Sequence, residues 1–385
     1  MSRFLFVVPP LFGHINPALA VAGELTRQGH EVAWAGDCGV LDRVLLPWTN
    51  AYHCDVPTTS ARPPTLRGFA ALKFLWEQSL IPLATAMLPG VLAAVAEFRP
   101  DVVVADQQAL AGALAAERLG LPWATSATTT AELTDPLGDL PKVREWLTGL
   151  LDELRTANQC PSTVDLRFSP HLVLAFSTTA LLGEPARLPD SVCFVGPAQR
   201  VEHGVAQLPW QALDPHRPLV FVSLGTANAD AGERFLVETV EALRHRPGLQ
   251  AVVVDPTGAV LDAPEQVIVR ERVAQLAVLA RANVVVCHAG HNTVCEALGH
   301  GVPLVVAPIR DDQPITADQV TRAGAAVRLR FDHARAEQIG SAIDTVLAEP
   351  GYRDNAQRVQ RSFQAAGGAV SAAWELVRLA KTARV

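Results

Sequence analysis

The chain has 385 residues, enough for two domains that each bury their own core. Hydrophobic residues make up 49% and charged residues 18% of it, as in folded globular proteins rather than disordered ones. The net charge of −7, with no Lys/Arg-rich run to offset it, argues against a nucleic-acid-binding protein.

The N-terminal segment predicts a strand, a loop and a helix. RFLFVV is a short apolar run typical of a strand covered on both faces, and PPLFGHIN predicts the loop after it. Asn16 is a candidate helix cap with Pro17 at the first helical position, and Gly29 ends the helix. The start superficially resembles a signal peptide. However, Pro9 and Pro10 interrupt it and it continues into an amphipathic helix, so we expect a cytoplasmic protein.

Residues 78–96 carry no charge over a length that could cross a membrane. Pro82, Pro89 and Gly90 are expected to break this span. We therefore predict two buried helix pieces and no transmembrane segment.

The stretch RGFAALKFLWEQSL places four apolar residues on one helical face, namely Phe69, Leu72, Trp76 and Leu80. Such a stripe usually packs on the core of its own domain. The alternative is that part of it, including Phe69 and Trp76, lines a pocket for an apolar ligand.

The rest of the chain repeats a strand–helix rhythm. PDVVVAD ends on Asp106 and is followed by a predicted helix at 108–119 and the run LPWATSA. The second half restarts with PLVFVSLGT, AGERFLVETVEALRHR and LQAVVVD, and continues with ANVVVCHAG and PLVVAP. This alternation predicts parallel sheets in doubly wound α/β domains.

A Pro-rich, polar stretch at 201–217 predicts the linker between two Rossmann-like domains, 1–200 and 218–365. The last helix, in 366–385, follows two glycines. Ligands of such sheets bind beyond the carboxyl ends of the strands, so we expect a site in a cleft where the domains face each other.

The stretch NVVVCHAGHNTVCEALGHG predicts a helix N-terminus, at Asn292 and Thr293, directly after a strand. Its N–H groups and dipole suit an anion, which His288 and the loop SLGT (223–226) can help to hold. No G-x-G-x-x-G follows the first strand, and there is no P-loop motif. The plainer interpretation is an ordinary helix cap beside a core histidine.

Two further features favour a nucleotide-sugar site over that plainer interpretation. Glu296 lies one turn into the helix, where a carboxylate can accept from ribose hydroxyls. Asp312 and Gln313 follow the next strand at the same edge of the sheet.

The cysteines allow one metal hypothesis. The six cysteines are scattered without a C-x-x-C pair, which favours free thiols over a disulfide framework. Cys287, His288, His291 and Cys295 could be interpreted as a zinc site. Their spacing lacks the paired ligands of structural zinc sites, so we expect no metal.

The stretch from Arg272 to Gln313 resembles the donor-binding signature of the family 1, UDP-sugar-type glycosyltransferases, which adopt the GT-B fold. The matching pieces are VAQLAVL, HAGHNT, Glu296, GVPLVVAP and the DQ at 312–313. The N-terminal GHINPALAVAGELTRQGHEV resembles the opening of the same family. Bacterial natural-product enzymes are the most similar type.

The resemblance implies that the last helix, in 366–385, packs back on the first domain, as in GT-B relatives. It also implies roles for particular residues. His14 matches the histidine that takes the proton from the acceptor hydroxyl, and Asp106 matches the carboxylate that orients it. The positions matching the donor site are Gly225, Thr226, Arg272, Val273, Gln275, His288, Gly290, Asn292, Thr293, Glu296, Asp312 and Gln313. Phe69 and Trp76 become candidates for acceptor binding.

Three positions depart from the family pattern. Arg272 stands where a tryptophan often stacks on the base; because a guanidinium plane can also stack, the choice between uracil and thymine stays open. His291 replaces the tryptophan of plant relatives, and Thr316 stands where many relatives carry asparagine. The pair Asp312-Gln313 is similar to that of hexose-using members, which favours glucose over a deoxysugar.

The implied function is inverting transfer of a hexose from a UDP- or TDP-sugar to a hydroxyl of a hydrophobic aglycone, as in antibiotic biosynthesis. The nucleotide sugar is a substrate, so no cofactor is expected, and the sequence contains no D-x-D motif for a metal. A homodimer is one assembly compatible with the sequence.

Two alternatives remain open. A UDP-N-acetylglucosamine 2-epimerase-like enzyme of the same fold would use no acceptor and would not require His14 and Asp106. A non-catalytic auxiliary protein of the same fold is the other, and the presence of both residues counts against it.

Overall fold

A computed structural model describes residues 1–58, 63, 66, 68–135, 137–138, 140–160, 163–184, 188–199, 208–225 and 231–382. The chain divides into two compact units. Unit 1 comprises Met1–Ser177, Pro185–Arg200 and Ala366–Val385, and unit 2 comprises Thr178–Glu184 and Val201–Ala365.

Strands and helices alternate along the first half of the chain. They are β1 (Arg3–Val7), α1 (Phe12–Arg27), β2 (Glu31–Gly36), α2 (Cys38–Val44), β3 (Asn50–His53), α3 (Gly68–Phe74), α4 (Ile81–Phe98), β4 (Val102–Asp106), α5 (Leu110–Leu119), β5 (Trp123–Ala127), α6 (Pro141–Ala157), β6 (Val173–Ala175), α7 (Thr179–Leu182) and β7 (Val192–Phe194). Leu75–Leu80 is π-helical, and Ala131–Thr134 is a 3₁₀ turn.

The second half continues the same rhythm after a 3₁₀ turn at Trp210–Ala212. Its elements are β8 (Leu219–Ser223), α8 (Glu233–Arg244), β9 (Gln250–Val254), β10 (Val267–Arg270), α9 (Gln275–Leu279), β11 (Val284–Cys287), α10 (His291–Gly299), β12 (Leu304–Val306), α11 (Gln313–Arg322), β13 (Ala326–Arg328), α12 (Ala336–Ala348), α13 (Pro350–Ala366) and α14 (Gly368–Thr382).

The described strands of unit 1 form a parallel sheet in the order β3-β2-β1-β4-β5-β6-β7. Strands β4 and β5 are buried along their whole length, because helices cover both faces of the sheet. Leu5 and Val103 belong to the core on one face, and Phe6 and Val104 to the core on the other. The predicted doubly wound α/β architecture is confirmed.

The described strands of unit 2 form a second parallel sheet in the order β10-β9-β8-β11-β12-β13. The strand order reverses between β1 and β4 in unit 1 and between β8 and β11 in unit 2. Loops leave such a switch point toward opposite faces of the sheet, which opens a crevice at the carboxyl ends of its two central strands.

Helix α1 begins earlier than predicted. The amides of His14 and Ile15 both donate to the carbonyl of Leu11, so the helix starts at Phe12, and Asn16 does not cap it. Pro17 lies inside the helix, and the residue four positions before it is Gly13, which adds no side chain at the affected turn. His14 is therefore in the first turn of α1 rather than in a loop.

The predicted break in residues 78–96 was wrong, because α3, the π-helical turn and α4 form one continuous run, Gly68–Phe98. Pro82 directly follows the π-helical turn, at the second residue of α4, and Pro89 lies inside α4, so neither proline ends the run. A side chain at Gly90 would come within 2.9 Å of the Cys54 sulfur, so this glycine permits close packing instead of ending the helix.

Among the described residues, the run Gly68–Phe98 is the candidate membrane span by length and composition. Within its apolar window, 44% is buried inside the protein. Met87 and Val91 are fully buried in the core of unit 1, which favours a core helix.

Helix α14 packs against α1 and supplies Ala372 and Leu376 to the core of unit 1. The turn before it depends on Gly368, which has φ +59°. Its amide donates to the Val195 carbonyl at 2.6 Å, and a Cβ there would lie 2.8 Å from the Pro197 carbonyl oxygen. Glycine is therefore required at this position.

Candidate active site

The switch point of unit 1 brings His14 and Asp106 together. His14 lies in the first turn of α1, which follows β1, and Asp106 is the last residue of the adjacent β4. The His14 Nδ1 atom lies 2.9 Å from Asp106 Oδ1 and 3.1 Å from Oδ2. The carboxylate is completely buried, whereas 16% of the His14 side chain is exposed.

Asp106 fixes the tautomer of His14. A carboxylate only accepts hydrogen bonds, so the imidazole proton lies on Nδ1, and Nε2 is the basic nitrogen of the neutral ring. The Gln108 amide donates to Asp106 Oδ1 at 2.8 Å, which holds the carboxylate in this orientation. A buried carboxylate that orients a partly exposed imidazole is suited to general-base chemistry.

Thr128 is a third member of this cluster that the sequence analysis missed. It follows β5, the neighbour of β4, and its side chain is buried. Its hydroxyl donates to Asp106 Oδ2 at 2.9 Å and lies 2.6 Å from His14 Nδ1. The available signal was that LPWATSA runs directly into the threonines 128–130, at the edge where Asp106 was expected.

The switch point of unit 2 brings His288 between two glycines. The end of β11 pairs with the end of β8, so His288 faces the loop after Ser223. A Cβ at Gly225 would lie 2.8 Å from the His288 ring, and one at Gly290 only 2.3 Å from Nε2. Both glycines are needed for this close approach of backbone and ring.

The His288 ring is neutral at physiological pH. Burial lowers its pKa to about 4; the backbone of Ser223 opposes this shift, and the positive charge of Arg310 adds to it. Among the described residues, no group lies in normal hydrogen-bonding geometry with its buried Nδ1 atom. At neutral pH His288 therefore contributes no positive charge at this edge of the sheet.

Helix α10 starts one residue earlier than predicted. Gly290 is its N-cap without a side-chain cap, and its first turn contains no acidic residue. Asn292 and Thr293 both lie in this turn, whose N–H groups have no partners within the helix. The positive end of the helix is therefore directed to the edge where His288 lies.

Gln275 and Glu296 meet although they lie on different helices. The Gln275 side-chain amide donates to a Glu296 carboxylate oxygen at 2.5 Å, which links α9 to α10. Val273 is buried nearby in sequence, and Arg272 is exposed. Thr226, the remaining candidate of the glycine loop, lies outside the described residues.

Gln313 and Thr316 hold the start of α11 together. The buried Gln313 uses Oε1 to accept the amides of Ile309 at 2.9 Å and Arg310 at 3.1 Å. Thr316 is fully buried, and its hydroxyl donates to the Asp312 carbonyl at 3.3 Å. Gln313 thus fixes the loop between β12 and α11, leaving only its amide nitrogen as a group able to donate to a ligand.

The two acceptor candidates lie in different environments. Trp76 is 1% exposed and packs in the core of unit 1. Its position agrees with the interpretation that the apolar stripe packs on the core of its own domain. Phe69 is 49% exposed and stacks edge-on against Trp146 at 5.2 Å. Only Phe69 is accessible to a ligand.

In the described part of the chain, no three His, Cys, Asp or Glu side chains converge in a way that could hold a metal ion. The Cys295 sulfur lies 3.5 Å from His291 Nε2. The thiol of Cys287 is completely buried, and this burial raises its pKa to about 12. Cys287, His288, His291 and Cys295 thus do not come together as a group of possible metal ligands.

Comparisons with known proteins place this geometry in context. Residues 172–364 match the family described as UDP-glucoronosyl and UDP-glucosyl transferase. The "4'-demethylrebeccamycin synthase" of Lentzea aerocolonigenes is 30% identical over 96% of this chain and 98% of its own. The "NDP-glycosyltransferase YjiC" of Bacillus subtilis (strain 168) is 28% identical over 98% of this chain and 97% of its own.

A solved structure shares the fold over nearly the whole chain. The crystal structure of the "Glycotransferase of kitacinnamycin" superposes with a TM-score of 0.78 at 26% identity. The similarity covers 98% of this chain and 99% of that one.

Proposed function

Because the chain belongs to the UDP-glucoronosyl and UDP-glucosyl transferase family and is a glycosyltransferase of GT-B fold, we propose that it transfers a hexose from a UDP- or TDP-sugar to a hydroxyl of a hydrophobic natural product. His14 is the general base, and Asp106 orients it. The reaction inverts the anomeric carbon and uses no metal ion.

The contact between His14 and Asp106 carries this proposal. In the reaction, Nε2 of His14 takes the proton of the acceptor hydroxyl while the hydroxyl oxygen attacks the anomeric carbon. Asp106 keeps the imidazole in the required tautomer and stabilises the imidazolium that forms. One direct displacement by the acceptor inverts the configuration, because no side chain forms a covalent intermediate with the sugar.

The nucleoside diphosphate leaves as an anion, which unit 2 is suited to bind. The first-turn N–H groups of α10 and the hydrogen-bonding capacity of His288 and Thr293 support this assignment. Glu296 is suited to the ribose hydroxyls, and Asp312 to the hydroxyls of the hexose. The relative named for a rebeccamycin product supports a natural-product acceptor.

The test is a transfer assay with UDP-glucose and TDP-glucose against a panel of hydroxylated polyketides and aromatic compounds. We expect a glycoside whose anomeric proton, observed by NMR, has the configuration opposite to that of the donor. His14→Ala is expected to lower kcat by at least about 100-fold while donor affinity is retained, because a positioned base contributes roughly 10²–10⁴ in rate.

Three results of the same assay would contradict the proposed function. A retained anomeric configuration would exclude direct displacement. An epimerised nucleotide sugar formed without any acceptor would favour the epimerase alternative. Undiminished transfer by the His14→Ala variant would remove His14 from the mechanism.

A further inference from the structure

The anion site of unit 2 needs a source of positive charge. His288, at its centre, is uncharged at neutral pH because burial lowers its pKa to about 4. The N-terminus of α10 supplies a partial charge of only about half a unit. A diphosphate carries considerably more negative charge than this helix end offsets.

Arg310 lies on the loop that leaves the sheet beside His288. Strand β12 pairs with β11, with Val306 opposite Cys287, and the next amide, of Ala307, donates to the Cys287 carbonyl at 2.8 Å. The chain thus continues from β12 toward Arg310 at the same edge that carries His288.

The backbone of Arg310 is fixed in this position. Gln313 Oε1 accepts the Arg310 amide at 3.1 Å together with that of Ile309, and Gln313 itself is buried. The charge of the Arg310 side chain acts on the His288 ring, where it opposes protonation. The backbone therefore places Arg310 on the loop after β12, at the same sheet edge as His288.

We propose that Arg310 binds the diphosphate of the donor and stabilises it as it leaves. Arginine suits this role because its planar fork can give two parallel hydrogen bonds to phosphate oxygens, and it stays charged at all relevant pH values. Clamps of Arg, Lys or Mg²⁺ serve this purpose in nucleotide sites generally. The inference rests on the proposed function, because it requires a nucleoside diphosphate at this edge.

The competing explanation is local. Asp311 and Asp312 follow Arg310 directly, so the guanidinium could serve only to balance these carboxylates and shape the loop. If Arg310 only shapes the loop, its substitution should lower the stability of the protein and the affinity for every ligand to the same extent. A diphosphate role predicts a loss confined to ligands that carry the diphosphate.

The test is isothermal calorimetry of nucleotide binding to four proteins. They are the wild type, Arg310→Gln, Arg310→Lys and the control variant Arg322→Gln. Arg322 is an exposed arginine on α11 outside the proposed site. The probes are UDP and TDP, the matching monophosphates, and uridine and thymidine. Melting temperatures verify that each variant is folded.

We expect Arg310→Gln to lower the affinity for the nucleoside diphosphate by about 10- to 100-fold relative to wild type. This is the effect of losing one charge-assisted hydrogen bond. Affinity for the nucleoside should stay unchanged, and Arg310→Lys should give an intermediate loss because it keeps the charge without the fork. Arg322→Gln should behave as wild type.

Two results would overturn the assignment of Arg310 while leaving the proposed function intact. One is diphosphate affinity of Arg310→Gln equal to that of wild type, and the other is an equal loss for diphosphate and nucleoside. A wild-type protein that binds neither UDP nor TDP would instead overturn the proposed function, and the assignment with it.

Discussion

At the scale of single residues, Asp106 organises the unit 1 site through several hydrogen bonds at once. It accepts from the Gln108 amide and the Thr128 hydroxyl and is paired with His14. A buried carboxylate is costly unless its lone pairs are satisfied, so these bonds also allow the charge to exist inside the protein. The orientation of His14 therefore depends on how Gln108 and Thr128 hold Asp106.

Thr128 provides a test of this dependence. Thr128→Val keeps the shape of the side chain but removes the hydroxyl that lies between His14 Nδ1 and Asp106 Oδ2. We expect kcat to fall about 10- to 100-fold, as for loss of a hydrogen bond to a charged group, with the donor KM unchanged. Steady-state kinetics with the donor varied would measure both quantities.

Controls separate positioning from general stability. Thr128→Ser should restore most of the activity because it restores the hydroxyl. Thr239→Val removes another buried hydroxyl, which donates to the Phe235 carbonyl in α8, and should leave kcat unchanged. A normal kcat for Thr128→Val would show that Asp106 orients His14 without the third residue.

At the scale of elements, both candidate sites lie where a strand ends and a helix begins. His14 lies in the first turn of α1 and Asp106 is the last residue of β4, whereas His288 and Gly290 lie in the β11–α10 connection. In unit 2 this junction is so tight that the ring of His288 occupies the space a Gly290 side chain would need. The start of α10 and the His288 ring are therefore packed directly against each other.

Gly290→Ala is expected to disrupt the packing of His288 against the start of α10. The added Cβ would lie 2.3 Å from His288 Nε2, and the buried ring, which is also close to Gly225, has little room to move. Overpacking of this kind costs about 1–3 kcal/mol in stability. We expect a lower melting temperature and at least about 10-fold weaker diphosphate binding, measured by calorimetry.

The matched control for this substitution is Gly351→Ala in α13, where an added Cβ meets nothing within 4 Å. It should be neutral or stabilising, because alanine favours the helix and restricts the unfolded chain. Unchanged binding by Gly290→Ala would mean that the position of His288 is unimportant for the ligand.

At the scale of the whole molecule, the candidate base and the candidate anion site belong to different compact units. The family assignment covers unit 2 for most of its length, and the similarity in fold extends over both units. Unit 1 is completed by α14, which is the last element of the chain. Each unit therefore contributes a separate part of the proposed chemistry.

The metal-free mechanism predicts that chelation is harmless. Turnover in the presence of excess EDTA is expected to equal that in buffer alone, because Arg310, His288 and the α10 N–H groups are proposed to bind the leaving group. The rate with and without EDTA measures this directly. A strong loss of activity that Mg²⁺ or Mn²⁺ restores would contradict the proposal.

The sequence by itself determined the alternating strands and helices and the residues at strand ends. These features depend on local periodicity and on the rule that parallel strands present their carboxyl ends at one edge. His14, Asp106 and His288 were identified from these patterns and from motifs similar to those of the family. The spacing of the motifs indicated the family, because motif spacing can be read from the sequence without knowing which residues are in contact.

Only the tertiary structure decided which side chains meet across strands distant in sequence. Thr128 joins His14 across 114 positions because β5 lies beside β4. The same packing buries Trp76 and carries one helical run past Pro82 and Pro89. Such contacts depend on how elements pack, and no local pattern in the sequence encodes that packing.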